Sequence, residues 1–342
     1  MIVWLISYTA RGRALAARVA GVLEGEGNLC RTFALPKFCE AGDEPLTLSA
    51  ADWAGAGFEQ AEALIFCCAA GIAVRAVAPH VHDKRSDPAV LVLDEGGTFV
   101  IPLLSGHLGG ANALAENLAQ RLPATAVLTT ATDVNGVFAV DVFAKANGLF
   151  IGDMALAKAV SAALLAGEKV GFRSDLPVKG ALPEGLTAGD ASLGICVSAE
   201  DKQPFSRTLR LIPRRYAVGL GCRRGKGEAE LEAFLRENLN RCGVRLREIM
   251  ALASIDLKKD EPGLVALSER LSLPFVTYSA EALRSAPGTF TPSAFVMEVT
   301  GVDAVCERAA VLASGGELIV NKVAESGMTF ALAKKEEGIR FE

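Results

Sequence analysis

The chain has 342 residues, of which 51% are hydrophobic, and a formal net charge of −5, so it can bury several cores and form two or three domains. The negative net charge disfavours general affinity for nucleic acids, because such affinity depends on cations that neutralise phosphates. No apolar run approaches the roughly 20 residues that span a bilayer, and the start lacks a signal segment, so we expect a cytoplasmic protein with no membrane partner.

Strands and helices alternate in residues 1–132, which predicts an N-terminal α/β domain. The predicted elements are strand 2–7, helix 13–23, strand 63–69, helix 72–78, strands 88–93 and 98–104, helix 111–121 and strand 126–130. The acidic, glycine-containing connection at 94–97 predicts that strands 88–93 and 98–104 form a hairpin at the sheet edge.

The pattern changes in residues 133–215, where the segment 174–185 is rich in proline and glycine. Helices at 137–147 and 153–165 and strands at 168–173, 193–198 and 207–212 predict a smaller, loop-rich middle domain. Regular alternation returns in residues 216–342, with strands 216–220, 249–255, 274–278, 317–323 and 328–333 and helices 228–242, 263–271 and 303–313. The predicted fold class is therefore α/β and multi-domain, with a C-terminal α/β domain.

The most informative segment is Ser105-Gly-His107-Leu-Gly109-Gly110, which lies between a predicted strand and the helix that starts at Ala111. Glycines let the backbone approach a bound group, and the N–H groups of a helix start favour an anion. The imidazole of His107 stands beside them, so an anion site and a proton-transfer group coincide. An ordinary turn whose histidine caps or packs explains the local pattern equally well.

Basic residues cluster beside loop signals in three places, and positive patches on an acidic protein suit a small polyanionic ligand. The clusters are Arg75 with Lys84 and Arg85, Arg223 with Arg224 and Lys226, and Lys258 with Lys259. Solvated surface charge remains the more common explanation for any one cluster taken singly.

The loop Gly221–Gly227 carries the second of these clusters after a predicted strand. Its glycines fit neither the dinucleotide fingerprint nor a P-loop, so what remains is a cationic glycine loop suited to carboxylates or phosphates, or a plain turn. Asp256 and Lys258 follow strand 249–255, at the strand end where open α/β sheets bind ligands, although capping explains part of that pattern. Asp133 follows the predicted strand 126–130 in the same way, although the segment 133–136 is also typical of an ordinary turn.

Metal ligation has little support in the sequence. The eight cysteines contain no CxxC pair, so structural zinc is not expected. His80 and His82 would share a face of a strand, but no third ligand accompanies them, and we interpret them as loop histidines. A serine nucleophile at Ser105 is unsupported because the glycines of a nucleophile elbow are missing.

Long segments of the chain carry a family resemblance. They are 71–79, 83–90, 101–112 and 129–136 in the first domain, and 219–225, 253–258, 260–263 and the late Asn321-Lys322 pair in the third. Together they resemble the cobalt-precorrin-5A hydrolase family of anaerobic cobalamin biosynthesis. The resemblance spans nearly the whole chain and is weakest at 174–207.

The resemblance implies a hydrolase that opens the ring A acetate δ-lactone of a cobalt-bound, C20-methylated tetrapyrrole and releases the C20 fragment as acetaldehyde. It implies a polycarboxylate tetrapyrrole as substrate and no cofactor of the protein's own, since the cobalt arrives in the substrate. In this reaction we expect His107 to act as the general base, with oxyanion donors at Gly109 and Gly110. Asp133 is expected to orient His107 or to activate water.

Substrate carboxylates are expected to bind at cations and at strand ends. The predicted binding residues are Arg75, Lys84, Ser105, Gly109, Gly110, Gly221, Cys222, Arg223, Arg224, Asp256 and Lys258. Two other classes of function stay open, a non-catalytic carrier of corrinoid intermediates and a protein that binds a phosphorylated metabolite or nucleotide. The sequence also leaves open a homo-oligomer or association with other enzymes of the pathway.

Overall fold

In the computed structural model, which describes residues 1–83, 86–107, 109–336 and 338–341, the chain divides into two units, Met1–Val142 and Phe143–Glu342. Both units combine helices with parallel and mixed sheets, which confirms the multi-domain α/β class. The predicted boundary between a middle and a C-terminal domain falls inside the second unit and stays a prediction. No helix in the described parts of the chain is long and apolar enough to cross a bilayer.

The first unit contains a seven-stranded sheet in the order β3-β2-β1-β4-β5-β6-β7. Its strands are β1 (Ile2–Ser7), β2 (Leu29–Ala34), β3 (Asp43–Pro45), β4 (Ala63–Cys67), β5 (Ala89–Leu93), β6 (Phe99–Leu104) and β7 (Thr125–Ala126). Its helices are α1 (Ala10–Gly25), α2 (Ala50–Gln60), α3 (Ala70–Val77), α4 (Ala111–Arg121) and α5 (Ala131–Val134), and α6 (Val140–Ala146) starts at its end. Strands β1 to β5 are parallel, and β6 runs antiparallel to β5.

Apolar cores cover both faces of this sheet, which is why β4 and β5 are apolar without alternation. Helices α1 and α4 pack on one face. Helices α2 and α3 pack on the other, where Trp4, Trp53 and Phe66 are buried against one another. The two tryptophans of the chain therefore both lie in the core of the first unit.

The predicted strand 126–130 is wrong, because β7 is only Thr125–Ala126. Pairing with β6 ends where the Val127 N–H donates to the Val100 carbonyl. The chain then turns away, and the Thr130 hydroxyl accepts a hydrogen bond from Asn112 at the start of α4. Strand β6 consequently lies between β5 and the short β7 and is not the edge strand that the hairpin prediction implied.

The second unit contains two five-stranded sheets and one two-stranded sheet. Its strands are β8 (Leu149–Ile151), β9 (Val170–Ser174), β10 (Val178–Lys179), β11 (Leu186–Thr187), β12 (Leu193–Val197), β13 (Arg207–Pro213), β14 (Tyr216–Cys222), β15 (Ile249–Ile255), β16 (Phe275–Tyr278), β17 (Glu317–Glu325), β18 (Met328–Lys334) and β19 (Ile339–Arg340). Its helices are α7 (Met154–Leu165), α8 (Glu228–Arg241), α9 (Pro262–Leu271), α10 (Ala280–Arg284), α11 (Ala294–Thr300) and α12 (Val305–Ser314).

The five-stranded sheet with the order β16-β15-β14-β18-β17 brings several predicted site residues together. Strands β14 and β15 are parallel, so their carboxyl ends meet at one edge of the sheet. Strand β18 is antiparallel to β14 and therefore starts at that same edge, with Met328 opposite Cys222. Helix α12 lies directly on β14, because a Cβ at Gly219 would come within 1.7 Å of the Cys306 carbonyl oxygen. Only glycine permits this close packing.

Candidate functional site

His107 lies in the turn between β6 and α4, and its side chain is held between two carboxylates. Its Nε2 is 2.9 Å from Asp133 Oδ2, and its Nδ1 is 3.2 Å from Asp141 Oδ2. The three side chains are only 14%, 25% and 17% exposed. An imidazole whose two nitrogens both face carboxylates donates both hydrogen bonds when it is protonated, so this geometry favours the cation.

The electrostatics agree with that geometry. The hydrogen bond with Asp141 raises the pKa of His107 to about 9, against the opposing effect of burial and with a further contribution from Asp133. Burial alone would raise the pKa of the Asp141 carboxyl, but the hydrogen bond and charge of His107 outweigh it and hold that pKa below its ordinary value. His107 is therefore an imidazolium near neutral pH.

Asn112, the second residue of α4, fixes the Asp133 carboxylate. Its amide nitrogen donates to Asp133 Oδ2 at 2.7 Å and to Thr130 Oγ1 at 3.0 Å. Oxygen Oδ2 of Asp133 thus accepts from both Asn112 and His107. The result is a network in which the helix start and the segment after β7 hold each other in place.

The turn that carries His107 is tightly constrained. Ser105 has a φ of 56°, a left-handed conformation that is uncommon for residues other than glycine, and its hydroxyl donates to the Asp87 carbonyl at 2.9 Å. A Cβ at Gly109 would lie 2.2 Å from the Ser105 Cβ, so glycine is required there. Gly110 has a φ of 92° and precedes α4. Close packing therefore accounts for Gly109 and the positive φ for Gly110, whereas Ser105 holds a conformation that serine seldom adopts and is tied there by its hydroxyl.

The turn also satisfies the first amides of α4. Ala111 N–H donates to the Ser105 carbonyl and Asn112 N–H to the Gly106 carbonyl. These two groups are consequently closed to an external anion, in contrast to the expectation of free N–H groups at this helix start. The N–H groups of Gly109 and Gly110 make no hydrogen bond to another described residue, and their role as oxyanion donors stays a prediction.

The raised pKa of His107 predicts a pH-dependent stability of the first unit. The folded value of about 9 exceeds the ordinary 6.5, so the stabilisation is complete below pH 6.5 and is lost as the pH rises towards 9. A shift of this size corresponds to about 3 kcal/mol. Denaturant unfolding followed by the fluorescence of Trp4 and Trp53 measures this unit. An equal loss of stability over the same pH range in His107→Gln would contradict the assignment.

A cavity of about 480 Å³ lies in the second unit and collects four of the predicted binding residues. They are Gly221, Cys222, Arg223 and Lys258. The lining also contains residues outside the prediction, among them Ser254, Lys322 and the start of β18. The carboxyl ends of β14 and β15 thus contribute to a cavity of a size typical of small-molecule sites. A binding role for the four residues stays a prediction.

The glycine loop after β14 binds an anion that belongs to the protein itself. The Glu261 carboxylate accepts from Gly225 N–H at 2.9 Å and from Lys258 Nζ at 2.7 Å, and its side chain is only 7% exposed. The hydrogen bond from Lys258 lowers the pKa of Glu261, against the effect of burial. Glu261 thus occupies one N–H group of the loop and the Lys258 ammonium, and binding of a ligand anion at this loop stays a prediction.

Removal of the Glu261 charge should destabilise the second unit. Glu261→Gln leaves the Lys258 ammonium without its partner and weakens the bond to Gly225, so we expect a loss of about 1–3 kcal/mol. Glu230→Gln is the matched control, because Glu230 pairs with Lys226 on an exposed helix face and should change stability by less than about 0.5 kcal/mol. Calorimetric unfolding distinguishes the two variants, and equal effects would contradict a special role for Glu261.

Several predicted residues lie apart from these two groups. Arg75 is exposed on α3 and donates to the Gly71 carbonyl of its own helix at 2.9 Å. Arg224 and Asp256 are exposed and do not line the cavity. Lys84 lies outside the described residues. These assignments stay predictions without a local geometry that supports them.

The histidines at 80 and 82 differ in their surroundings. His80 Nε2 is 2.8 Å from the Ala51 carbonyl oxygen, and its ring packs near Phe58. His82 is exposed. The described residues contain no group of three or more histidine, cysteine, aspartate or glutamate side chains arranged to hold a metal ion.

Sequence reasoning missed three residues of these sites: Asp141, Ser254 and Lys322. An acid between two valines inside the predicted helix 137–147 was the only available signal for Asp141. Ser254 ends an apolar strand, and Lys322 belongs to a segment that was noted without a role. Asp141 lies far along the chain from His107, and Ser254 lies far from Lys322, so only the fold brings these pairs together.

Comparison with known families covers most of the chain. The family model described as "Cobalamin synthesis G N-terminal" matches residues 52–133, "Cobalamin biosynthesis central region" matches 138–213, and "Cobalamin synthesis G C-terminus" matches 216–333. His107 and Asp133 fall in the first match, and the lining of the cavity falls in the third.

Curated relatives are similar over similar lengths. The chain is 39% identical to a cobalt-precorrin-5A hydrolase of Salmonella typhimurium over 96% of both sequences. It is 33% identical to one of Priestia megaterium over 82% of this chain and 77% of that protein. It is also 34% identical to the protein CobE of Sinorhizobium sp over 34% of this chain and 77% of CobE.

Proposed function

The chain belongs to the cobalamin synthesis G family, and from that premise we propose that it is a cobalt-precorrin-5A hydrolase. It opens the ring A acetate δ-lactone of the cobalt-bound tetrapyrrole and releases the C20 fragment as acetaldehyde, which leaves cobalt-precorrin-5B. The observation that carries the proposal is the imidazole of His107 held between the carboxylates of Asp133 and Asp141. Relatives of that name at 39% and 33% identity support it.

The arrangement suits a reaction that needs an acid first and a base second. As a cation, His107 starts as the acid and not as the base that the sequence suggested, because its pKa is raised to about 9. Asp133 is the more exposed of the two acids, at 25% against 17%. We therefore assign Asp141 to holding the ring and Asp133 to the side that meets the substrate.

In the first step, water adds to the lactone carbonyl carbon and its proton passes to Asp133. The C–O bond of the lactone then breaks, and His107 donates its proton to the departing alkoxide. Products of this step are a free ring A acetate and a free hydroxyl on the C20 fragment. His107 is left neutral beside that hydroxyl, in the state that a general base requires.

In the second step, neutral His107 takes the proton of the new hydroxyl. The C–C bond to the macrocycle breaks, its electron pair moves into the conjugated ring system, and a carbonyl forms on the leaving fragment, which departs as acetaldehyde. His107 returns to its cationic form between the two carboxylates, and Asp133 releases to solvent the proton that it took from water, so both groups regain their starting state. The cobalt enters and leaves with the substrate, and the step requires no lysine Schiff base and no cofactor of the protein's own.

Incubation of the purified protein with cobalt-precorrin-5A without oxygen tests the proposal. Acetaldehyde is measured by coupling to alcohol dehydrogenase and following NADH oxidation. We expect catalytic release of acetaldehyde together with a change in the visible spectrum of the tetrapyrrole. Tight binding of the lactone without acetaldehyde release would instead indicate a carrier of corrinoid intermediates.

A further inference from the structure

The cavity in the second unit contains a polar group that has no hydrogen-bond partner among the described residues. The hydroxyl of Ser254 is buried and forms no hydrogen bond to any described residue, and the whole residue is 0% exposed. Ser254 nevertheless lines the cavity. An unpaired buried hydroxyl costs about 1–3 kcal/mol, so its position at a cavity wall points to a bound group that supplies the missing partner.

The charges around the cavity favour an anion. Lys322 and Arg223 line it, and neither side chain forms an ion pair with a described residue. Lys258 also lines it but is paired with Glu261. One acid, Glu325, is in the described lining. Two uncompensated cations against one carboxylate leave the cavity with positive charge.

The remaining walls favour an organic body over a bare inorganic anion. Ile255, Val296, Val305 and Met328 supply apolar surface on several sides. A volume of about 480 Å³ falls within the range of roughly 300–1,000 Å³ that is typical of small-molecule sites. This space suits a ring edge with its side chains and is small for a whole substituted macrocycle.

We propose that this cavity binds one carboxylate-bearing edge of the tetrapyrrole. The Ser254 hydroxyl donates to a carboxylate oxygen, and Lys322 and Arg223 supply the opposite charge. The inference rests on the proposed function for the identity of the ligand, and it adds a binding role for Ser254 and Lys322. The Glu261 carboxylate binds the neighbouring glycine loop and Lys258, and it does not line the cavity. The cavity is therefore open to a ligand.

Uroporphyrin, a stable porphyrin with acetate and propionate side chains, serves as the probe for the full-length protein. Its visible absorption and fluorescence give the dissociation constant, and an excess of inorganic phosphate tests whether a bare anion competes. We expect binding that survives phosphate. Displacement by phosphate at concentrations comparable with the porphyrin would assign the cavity to a phosphate group and overturn the proposal.

Ser254→Ala separates a binding role from a structural one. It removes only the hydroxyl, so the dissociation constant should rise about tenfold, the size of one hydrogen bond to a charged group. The melting temperature should stay equal or rise, because a buried group without a partner has been removed. A lower melting temperature with unchanged affinity would show that the hydroxyl has a structural partner, and it would overturn the inference.

Lys322→Met keeps the apolar stem and removes the charge, and we expect a similar tenfold loss of affinity. Lys259→Met is the matched control, because Lys259 is an exposed cation next to Lys258 in sequence and does not line the cavity. Unchanged affinity in both Ser254→Ala and Lys322→Met would overturn the proposal. Acetaldehyde release by the intact protein tests the proposed reaction separately, so failure of one assay does not imply failure of the other.

Discussion

His107→Gln should lower the turnover of acetaldehyde release by roughly 10²- to 10⁴-fold, the usual contribution of a general acid–base group. Glutamine can keep a hydrogen bond to Asp133 or Asp141 but has no nitrogen that gains and loses a proton. Both steps of the proposed reaction therefore lose their proton carrier, while the binding of the lactone should stay near normal. Turnover and the binding constant are measured separately to distinguish these effects.

His82→Gln is the matched control, because His82 is exposed and makes no side-chain contact with the carboxylates. It should leave the rate unchanged within about twofold. Release of acetaldehyde by His107→Gln at the rate of the unmodified protein would remove His107 from the mechanism. Asp133 would then be the next candidate for the base.

Asp141→Asn should move the alkaline limb of the pH–rate profile to lower pH. The hydrogen bond that His107 donates to Asp141 is the largest cause of the raised pKa of His107, so its loss moves that pKa towards the ordinary 6.5. At about pH 8 the imidazole then becomes mostly neutral, and the acid of the first step is depleted about tenfold or more. At about pH 6 the loss should be much smaller, since the imidazole is protonated in both proteins.

Asp133→Asn provides the comparison for Asp141→Asn. If Asp133 takes the proton from water, its loss lowers the rate across the whole pH range and does not merely shift the alkaline limb. The two aspartates thus have different signatures in the same assay. An alkaline limb that stays in place in Asp141→Asn would contradict the assignment of Asp141 as the group that sets the charge of His107.

Much of the fold could be predicted from apolar runs that stop abruptly. The predicted ranges for β1 (Ile2–Ser7), α4 (Ala111–Arg121) and β15 (Ile249–Ile255) coincide with the observed elements. Each has a strong pattern that ends at glycine or at polar residues. Helix α2 and strand β2 were not predicted. Helix α2 has glycine at two of its eleven positions, Gly55 and Gly57, and β2 mixes arginine and threonine with apolar residues, so their patterns are weak.

The site was predictable to the extent that its chemistry lies in one turn. The glycine turn carries His107, and Asp133, which was predicted to orient His107 or to activate water, lies 2.9 Å from it. Its role in the reaction stays a prediction. The second carboxylate was missed because Asp141 lies 34 residues from His107 in sequence, and no local pattern joins them. The cationic state of His107 was missed for the same reason, because a histidine that faces only one acid is less strongly expected to be protonated.

Nuclear magnetic resonance titration of the imidazoles tests most directly the claim that two carboxylates hold His107 as a cation. The chain has three histidines, so the ¹⁵N and ¹H signals of His107 can be assigned by comparison with His107→Gln. We predict a midpoint of about 9 in the intact protein and a lower midpoint in Asp141→Asn. A His107 that titrates near 6.5 in the intact protein, with no change on loss of Asp141, would contradict the account.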